Sequence, residues 1–154
     1  MPEAQQNGIL FTDEYENNVD EKRRVQVPSA WRSGASETDF LLLLWPVGPQ
    51  KKICLMVLPP AAANKLTEKI TAMSFGSDDA ESLRRYLGRN SHVVTSDKAG
   101  RITLPERMAR AAGIEKKVLL VGMFDRFQMW SPELFEPVAE GDSAQGPAAM
   151  KQLI

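Results

Sequence analysis

Apolar and polar positions along this chain follow two different periods. Val25 and Val27 flank Gln26, and Ile102 and Leu104 flank Thr103. A period of two marks a strand with one face buried. Phe40–Trp45 and Ile53–Leu58 are near-continuous apolar runs of strand length. Pro46-Val47-Gly48-Pro49 separates them and reads as a turn. His92–Val94, Val118–Val121 and Phe127–Trp130 are further strands, the last two joined around Gly122-Met123-Phe124-Asp125. A helical period takes over in the middle of the chain. Over Pro60–Met73, Leu66, Ile70 and Met73 share a face. Over Asp79–Leu87, Leu83, Tyr86 and Leu87 do so, with Asp78 or Asp79 as cap and Gly88 as stop. Pro28 and Pro105 suit the first position of two short helices that Gly34 and Gly113 can end. Ser131-Pro132-Glu133 opens a last short helix. Residues 1–10 read as flexible and residues 141–154, rich in Gly, Ser, Ala and Gln, as a disordered tail.

The second half replays the first. Val19-Asp20-Glu21-Lys22-Arg23-Arg24-Val25-Gln26-Val27-Pro28 returns as Ser96-Asp97-Lys98-Ala99-Gly100-Arg101-Ile102-Thr103-Leu104-Pro105, with Asp, Arg and Pro displaced by 77 positions. Internal repetition sets the architecture ahead of any propensity argument. One copy of about 45 residues is too small to bury a sufficient core. Two copies packed as a pseudo-symmetric pair solve that. The expected organisation is a first repeat over 14–60, a helical linker over 61–90, a second repeat over 91–134 and the tail over 141–154.

Composition narrows the function less than the repeat does. At 154 residues, 43% hydrophobic and 25% charged, the chain is an ordinary soluble globular protein. No apolar run approaches the ~18 residues of a membrane span, and the polar, acidic start predicts no secretory leader. A cytoplasmic location follows as the expectation. The single cysteine, Cys54, lies in an apolar strand and reads as a buried, inert thiol. Net charge is −1, which by itself argues against nucleic-acid binding. Its distribution argues differently: residues 1–21 carry six acids and no base, and residues 22–140 carry eighteen bases against thirteen acids. A basic face is available once the acidic start is set aside.

Catalytic and metal chemistry find no foothold in the sequence. One His, His92, and one Cys cannot furnish a structural zinc site. There is no nucleophile elbow, phosphate loop or dinucleotide fingerprint, so neither an enzyme nor a cofactor is expected. Arg84, Arg85 and Arg89 read as solvated or at a subunit contact. Trp31, Trp45 and Trp130 read as core or interface residues. What remains is the repeated turn. Asp and Arg four apart across a tight turn can pair, and the Asp can also accept backbone N–H bonds. Lys22, Arg23 and Arg24 form one basic cluster, Lys98 and Arg101 another. A lone turn of this kind is usually a solvated loop whose ion pair contributes ~0–1 kcal/mol. Repetition in register weakens that reading, because it would place both turns on one face.

Three spaced segments carry a resemblance to a known family. Phe11-Thr12-Asp13-Glu14-Tyr15-Glu16-Asn17-Asn18-Val19-Asp20-Glu21-Lys22-Arg23-Arg24-Val25 is similar to the N-terminal signature of the MraZ family. So, in order, are the segments Asp97–Pro105 and Val118–Trp130, and the likeness runs from about Phe11 to Val138. The resemblance implies an α+β fold in which two SpoVT-AbrB repeats build a pseudo-symmetric swapped-hairpin β-barrel, with short helices and a linking helical pair. It implies a ring-like homo-oligomer. It implies a bacterial, nucleoid-associated, DNA-binding repressor of the division and cell-wall gene cluster, acting at direct repeats in promoter DNA. By residue, it implies DNA contact through Lys22, Arg23, Arg24, Lys98 and Arg101, on turns stabilised by Asp20, Asp97 and Gly100. The chain departs from the family at Arg23, where Gly is usual and where the second copy keeps Gly100. If that position requires φ > 0, Arg costs ~1–2 kcal/mol relative to Gly; alternatively Arg23 adds a phosphate contact. Arg23 and the near-neutral charge also motivate a rival reading, a ring-forming protein-interaction scaffold that has lost DNA binding.

Overall fold

A computed structural model describes residues 8–34, 37–74 and 78–154. The first seven residues of the segment expected to be flexible therefore lie outside the described residues. The strands are β1 (Glu14–Asn18), β2 (Arg24–Gln26), β3 (Asp39–Val47), β4 (Lys52–Leu58), β5 (Ser91–Thr95), β6 (Arg101–Thr103), β7 (Lys117–Gly122) and β8 (Phe127–Trp130). The α-helices are α1 (Pro60–Thr71), α2 (Asp78–Arg89), α3 (Glu106–Ala111) and α4 (Pro132–Met150), and Ser29–Trp31 forms a 3-10 turn.

Six strands make one antiparallel sheet in the order β1-β7-β8-β4-β3-β5, and β2 and β6 make a separate two-stranded ribbon. The order is symmetric about the β4–β8 pair, where Met56 faces Gln128. The first strand of each copy pairs with the other copy's hairpin: β1 lies on β7 and β5 on β3. The expected closed barrel does not form. β1 and β5 remain as sheet edges, because β2 and β6 form their ladder with each other; β2 meets the β1 end through a Val19–Val25 bridge and the Asn17 Nδ2 bond to the Gln26 carbonyl, without a continuous ladder.

The alternation of the strands divides the core in two. Phe40, Leu42, Leu55, Val57, Val94, Phe127 and Met129 face one side with Val25, Val27, Ile102 and Leu104 of the ribbon. Leu43, Met56 and Leu58 face the other, under Ala62, with Leu66 and Leu87 of α1 and α2 packed alongside. Val25, Val27, Ile102 and Leu104 are fully buried. At about 1.5–3 kcal/mol for each such side chain, the ribbon is held firmly on the sheet. Trp31 and Trp130 are buried, and Trp31 packs edge-on against Phe11 and Tyr15. Trp45 is half exposed at the far end of β3.

Several elements differ from the sequence reading. The helix after Pro28 is a single 3-10 turn, and Gly88 lies within α2 rather than ending it. Leu83 and Tyr86 are exposed, so only Leu87 of the expected apolar face meets the core. Arg84 is not simply solvated. Its Nη2 donates to the Ile70 carbonyl at 3.0 Å, capping the negative end of α1. The disordered tail expected over 141–154 is helical as far as Met150. Ser131 accepts from the Leu134 N–H at the helix start, and the helix runs on through Pro137 and Pro147.

Candidate nucleic-acid interface

Two turns enter the ribbon, one before each strand, and their bonding is the same atom for atom. Asp20 Oδ1 accepts from the Lys22 and Arg24 N–H groups at 2.9 and 2.8 Å, and Asp20 Oδ2 accepts from Arg24 Nε at 2.6 Å. Asp97 Oδ1 accepts from the Ala99 and Arg101 N–H groups at 2.9 Å each, and Asp97 Oδ2 from Arg101 Nε at 2.9 Å. The chain closes each turn with Arg23 N–H to the Asp20 carbonyl and Gly100 N–H to the Asp97 carbonyl, both at 2.9 Å. In each turn the Arg backbone N–H, then its guanidinium, holds the aspartate below the usual carboxylate range against the opposing effect of desolvation. The spacing of four is thus set by one carboxylate that caps its own turn and orients the arginine through Nε.

The ribbon fixes where the arginines point. β2 and β6 pair with Arg24 opposite Thr103, Val25 opposite Ile102 and Gln26 opposite Arg101. Because Val25 and Ile102 are fully buried, Arg24, Gln26, Arg101 and Thr103 project from the opposite, outer face. Arg24 and Arg101 are diagonal neighbours there, with Cα atoms about 7–8 Å apart. Arg23 N–H and C=O and their Gly100 counterparts complete the symmetry: the Arg23 carbonyl accepts from Leu104 N–H and the Gly100 carbonyl from Val27 N–H, both at 2.9 Å. Lys22 and Lys98 are exposed at the turn tips.

Arg23 takes the conformation that would cost it most. Its φ is +61°, against +84° at Gly100, so the left-handed conformation is required at both positions. The side chain folds back, with Nε donating to the Leu104 carbonyl at 3.0 Å and Nη1 lying 3.9 Å from Glu106. One hydrogen bond of about 0.5–1.5 kcal/mol offsets much of the conformational cost. Arg23 is therefore a fastener between the turn and the start of α3.

Sequence reasoning missed two residues at the second turn. The Ala99 carbonyl accepts from Gln26 Nε2 at 2.7 Å and from Arg32 Nη1 at 3.0 Å. The Arg32 side chain lies over Gly100, and a Cβ added there would collide with it. A signal was available in the aligned copies. Positions 23 and 100 hold Arg and Gly, whereas positions 32 and 109 hold Arg and Ala, so each turn is matched with one arginine in a different place. The second turn has three cations, Arg32, Lys98 and Arg101, and one carboxylate, Asp97. At the first, Lys22, Arg23 and Arg24 meet Asp20 and Glu21.

Elsewhere the structure offers less chemistry. Cys54 is buried, and burial pushes its thiol up to about 12, which leaves it protonated and unreactive. Among the described residues no group of three His, Cys, Asp or Glu side chains could hold a metal ion. No helix among them is long and apolar enough to cross a membrane.

The family model described as "MraZ protein, putative antitoxin-like" matches residues 87–152. Relatives named "Transcriptional regulator MraZ" extend the likeness over nearly the whole chain. That of Carboxydothermus hydrogenoformans is 31% identical over 135 residues, 88% of this chain and 90% of the relative. That of Leuconostoc mesenteroides is 30% identical over 124 residues, 80% of this chain and 82% of its own. That of Thermomicrobium roseum is 29% identical over 144 residues, 94% of this chain and 97% of its own.

Proposed function

The chain belongs to the MraZ family, and on that premise we propose that it is a DNA-binding transcriptional regulator whose two Asp-x-x-x-Arg turns meet promoter DNA. The observation that carries the reading is the common outer face of the β2–β6 ribbon, where Arg24 and Arg101 stand beside each other, each oriented by its own aspartate. A two-stranded ribbon is narrow enough to enter the major groove, and an arginine presented there can bond guanine O6 and N7 together. Lys22 and Lys98 at the tips suit phosphates, which position the protein without reading sequence. Arg23 contributes by fastening the first turn rather than by touching DNA.

The finer reading follows the family resemblance. The two copies act as SpoVT-AbrB repeats, and the protein represses the division and cell-wall gene cluster from direct repeats in its promoter, in the nucleoid of a bacterial cytoplasm. One subunit offers few contacts, so affinity comes from several subunits meeting repeated sites at once, in a homo-oligomer of ring form. Oligomerisation also reconciles a net charge of −1 with DNA binding, since a local basic face is repeated along one side of the assembly.

A mobility-shift titration against the promoter upstream of the protein's own gene, repeated from about 50 to 200 mM salt, tests this. Binding should weaken steeply, with a slope of about −0.9 in log K against log salt for each phosphate contacted. A flat response, or no shift at all, rejects DNA as the partner and favours the interaction scaffold.

A further inference from the structure

We propose that Arg32 and Gln26 are positioning residues through which the first copy sets the shape of the second copy's reading turn. Both donate to one acceptor, the Ala99 carbonyl at the tip of that turn, at 3.0 and 2.7 Å. The arginine is committed to this place: its stem crosses Gly100, and its Nε is buried and bonds nothing among the described residues. Leaving a guanidinium N–H without an acceptor is costly, so the position is one the surrounding packing imposes. The first turn has no such support. The repeat places Thr103 and Ala109 where Gln26 and Arg32 would be needed, and neither bonds the Lys22 carbonyl among the described residues. That turn is fastened by its own Arg23, which reaches across to the Leu104 carbonyl of the second copy. The pseudo-symmetric pair therefore has one turn clamped at its tip carbonyl by side chains of the other copy, and one that fastens itself to the other copy with its own arginine. A clamped turn arrives at DNA already ordered, which removes part of the cost of binding. Arg101, the base-reading arginine of that turn, is the residue Arg32 acts through.

This inference rests on the reading of the turns as a DNA interface, and the test separates the two. Fluorescence anisotropy of the full-length protein on its promoter duplex is measured at several salt concentrations for Arg32→Met, Gln26→Leu, Arg101→Ala, Arg24→Ala and the double variants. Arg32→Met keeps the stem over Gly100 and removes the donors. It should weaken binding about tenfold and leave the salt slope unchanged. It should add little to Arg101→Ala and add fully to Arg24→Ala. Gln26→Leu should behave in the same way with a smaller loss, and it decides alone if thermal melting shows Arg32→Met to be unfolded. Normal affinity in the readable variant, with Arg101→Ala impaired, overturns the clamp and leaves the DNA interface standing. A salt slope lower by about 1 in Arg32→Met puts Arg32 on a phosphate and overturns its positioning role. Normal affinity in Arg101→Ala overturns both.

Discussion

The turns at Asp20–Arg24 and Asp97–Arg101 share every internal hydrogen bond and differ in what surrounds them. In the second, glycine takes the left-handed position at φ +84° and an arginine from the other copy lies over it. In the first, an arginine takes that position at φ +61° and secures itself to β6 and α3. The local motif needs a positive φ. The duplicated chain met that need twice, once with a residue that adopts it freely and once with a residue whose side chain compensates for the strain. Two solutions to one backbone requirement give two turns of unequal charge and different bracing.

Substitutions should break this comparison at different points. Arg101→Ala should have the largest effect, weakening promoter binding by about 10- to 100-fold with the oligomeric state, whatever it is, unchanged, as read by mobility shift and size exclusion. Gly100→Ala comes next. It adds a Cβ in a left-handed conformation where Arg32 already lies, and should destabilise by about 1–2 kcal/mol, lowering Tm by a few degrees. Arg24→Ala should weaken binding less than Arg101→Ala, by several-fold on the same interaction scale, because a turn richer in carboxylates and without side-chain bonds to its tip carbonyl holds it. An equal loss in the two variants would erase the functional difference between the turns.

Smaller effects sharpen the same contrast. Arg23→Gly relieves the left-handed strain and loses the bond to the Leu104 carbonyl, so its Tm should move by less than about 2 °C. A large destabilisation would show that the fastener outweighs the strain. The pH dependence should be the same at both turns. Asp20 and Asp97 are held below the ordinary aspartate range, so their contribution is complete above the unfolded value of about 4 and is lost as pH falls through the folded one. Amide resonances of Lys22, Arg24, Ala99 and Arg101 should shift together below about pH 4, and a shift in only one pair would mean that only one turn depends on its carboxylate.

What could be read before the structure was short-range. The strands around Phe40–Trp45, Ile53–Leu58 and Phe127–Trp130 were legible because their apolar runs are strand-length and bounded by turn residues. The turns were legible because Asp, Arg and Pro recur at one offset. β1 was not, since Glu14-Tyr15-Glu16-Asn17-Asn18 is polar and becomes a strand only by pairing with β7 of the other copy. Residues 141–154 misled in the opposite direction: their Gly, Ser, Ala and Gln content suggested disorder, yet the helix capped at Ser131 continues through them to Met150. Arg32 and Gln26 escaped notice because their partner, Ala99, is more than sixty residues away along the chain.

The sequence by itself determined the duplicated turn, its aspartate cap and its arginine. These follow from bonds within five residues and from a repeat that needs no coordinates to see. Only the tertiary structure decided which way the arginines face and what braces them. Side-chain direction on the ribbon is set by which residues the sheet buries, and the clamp on Ala99 exists only because antiparallel pairing places Gln26 opposite Arg101. Long-range pairing, with a register that allows no slip without exposing Val25 and Ile102, turns a repeated motif into one surface with two unequal halves.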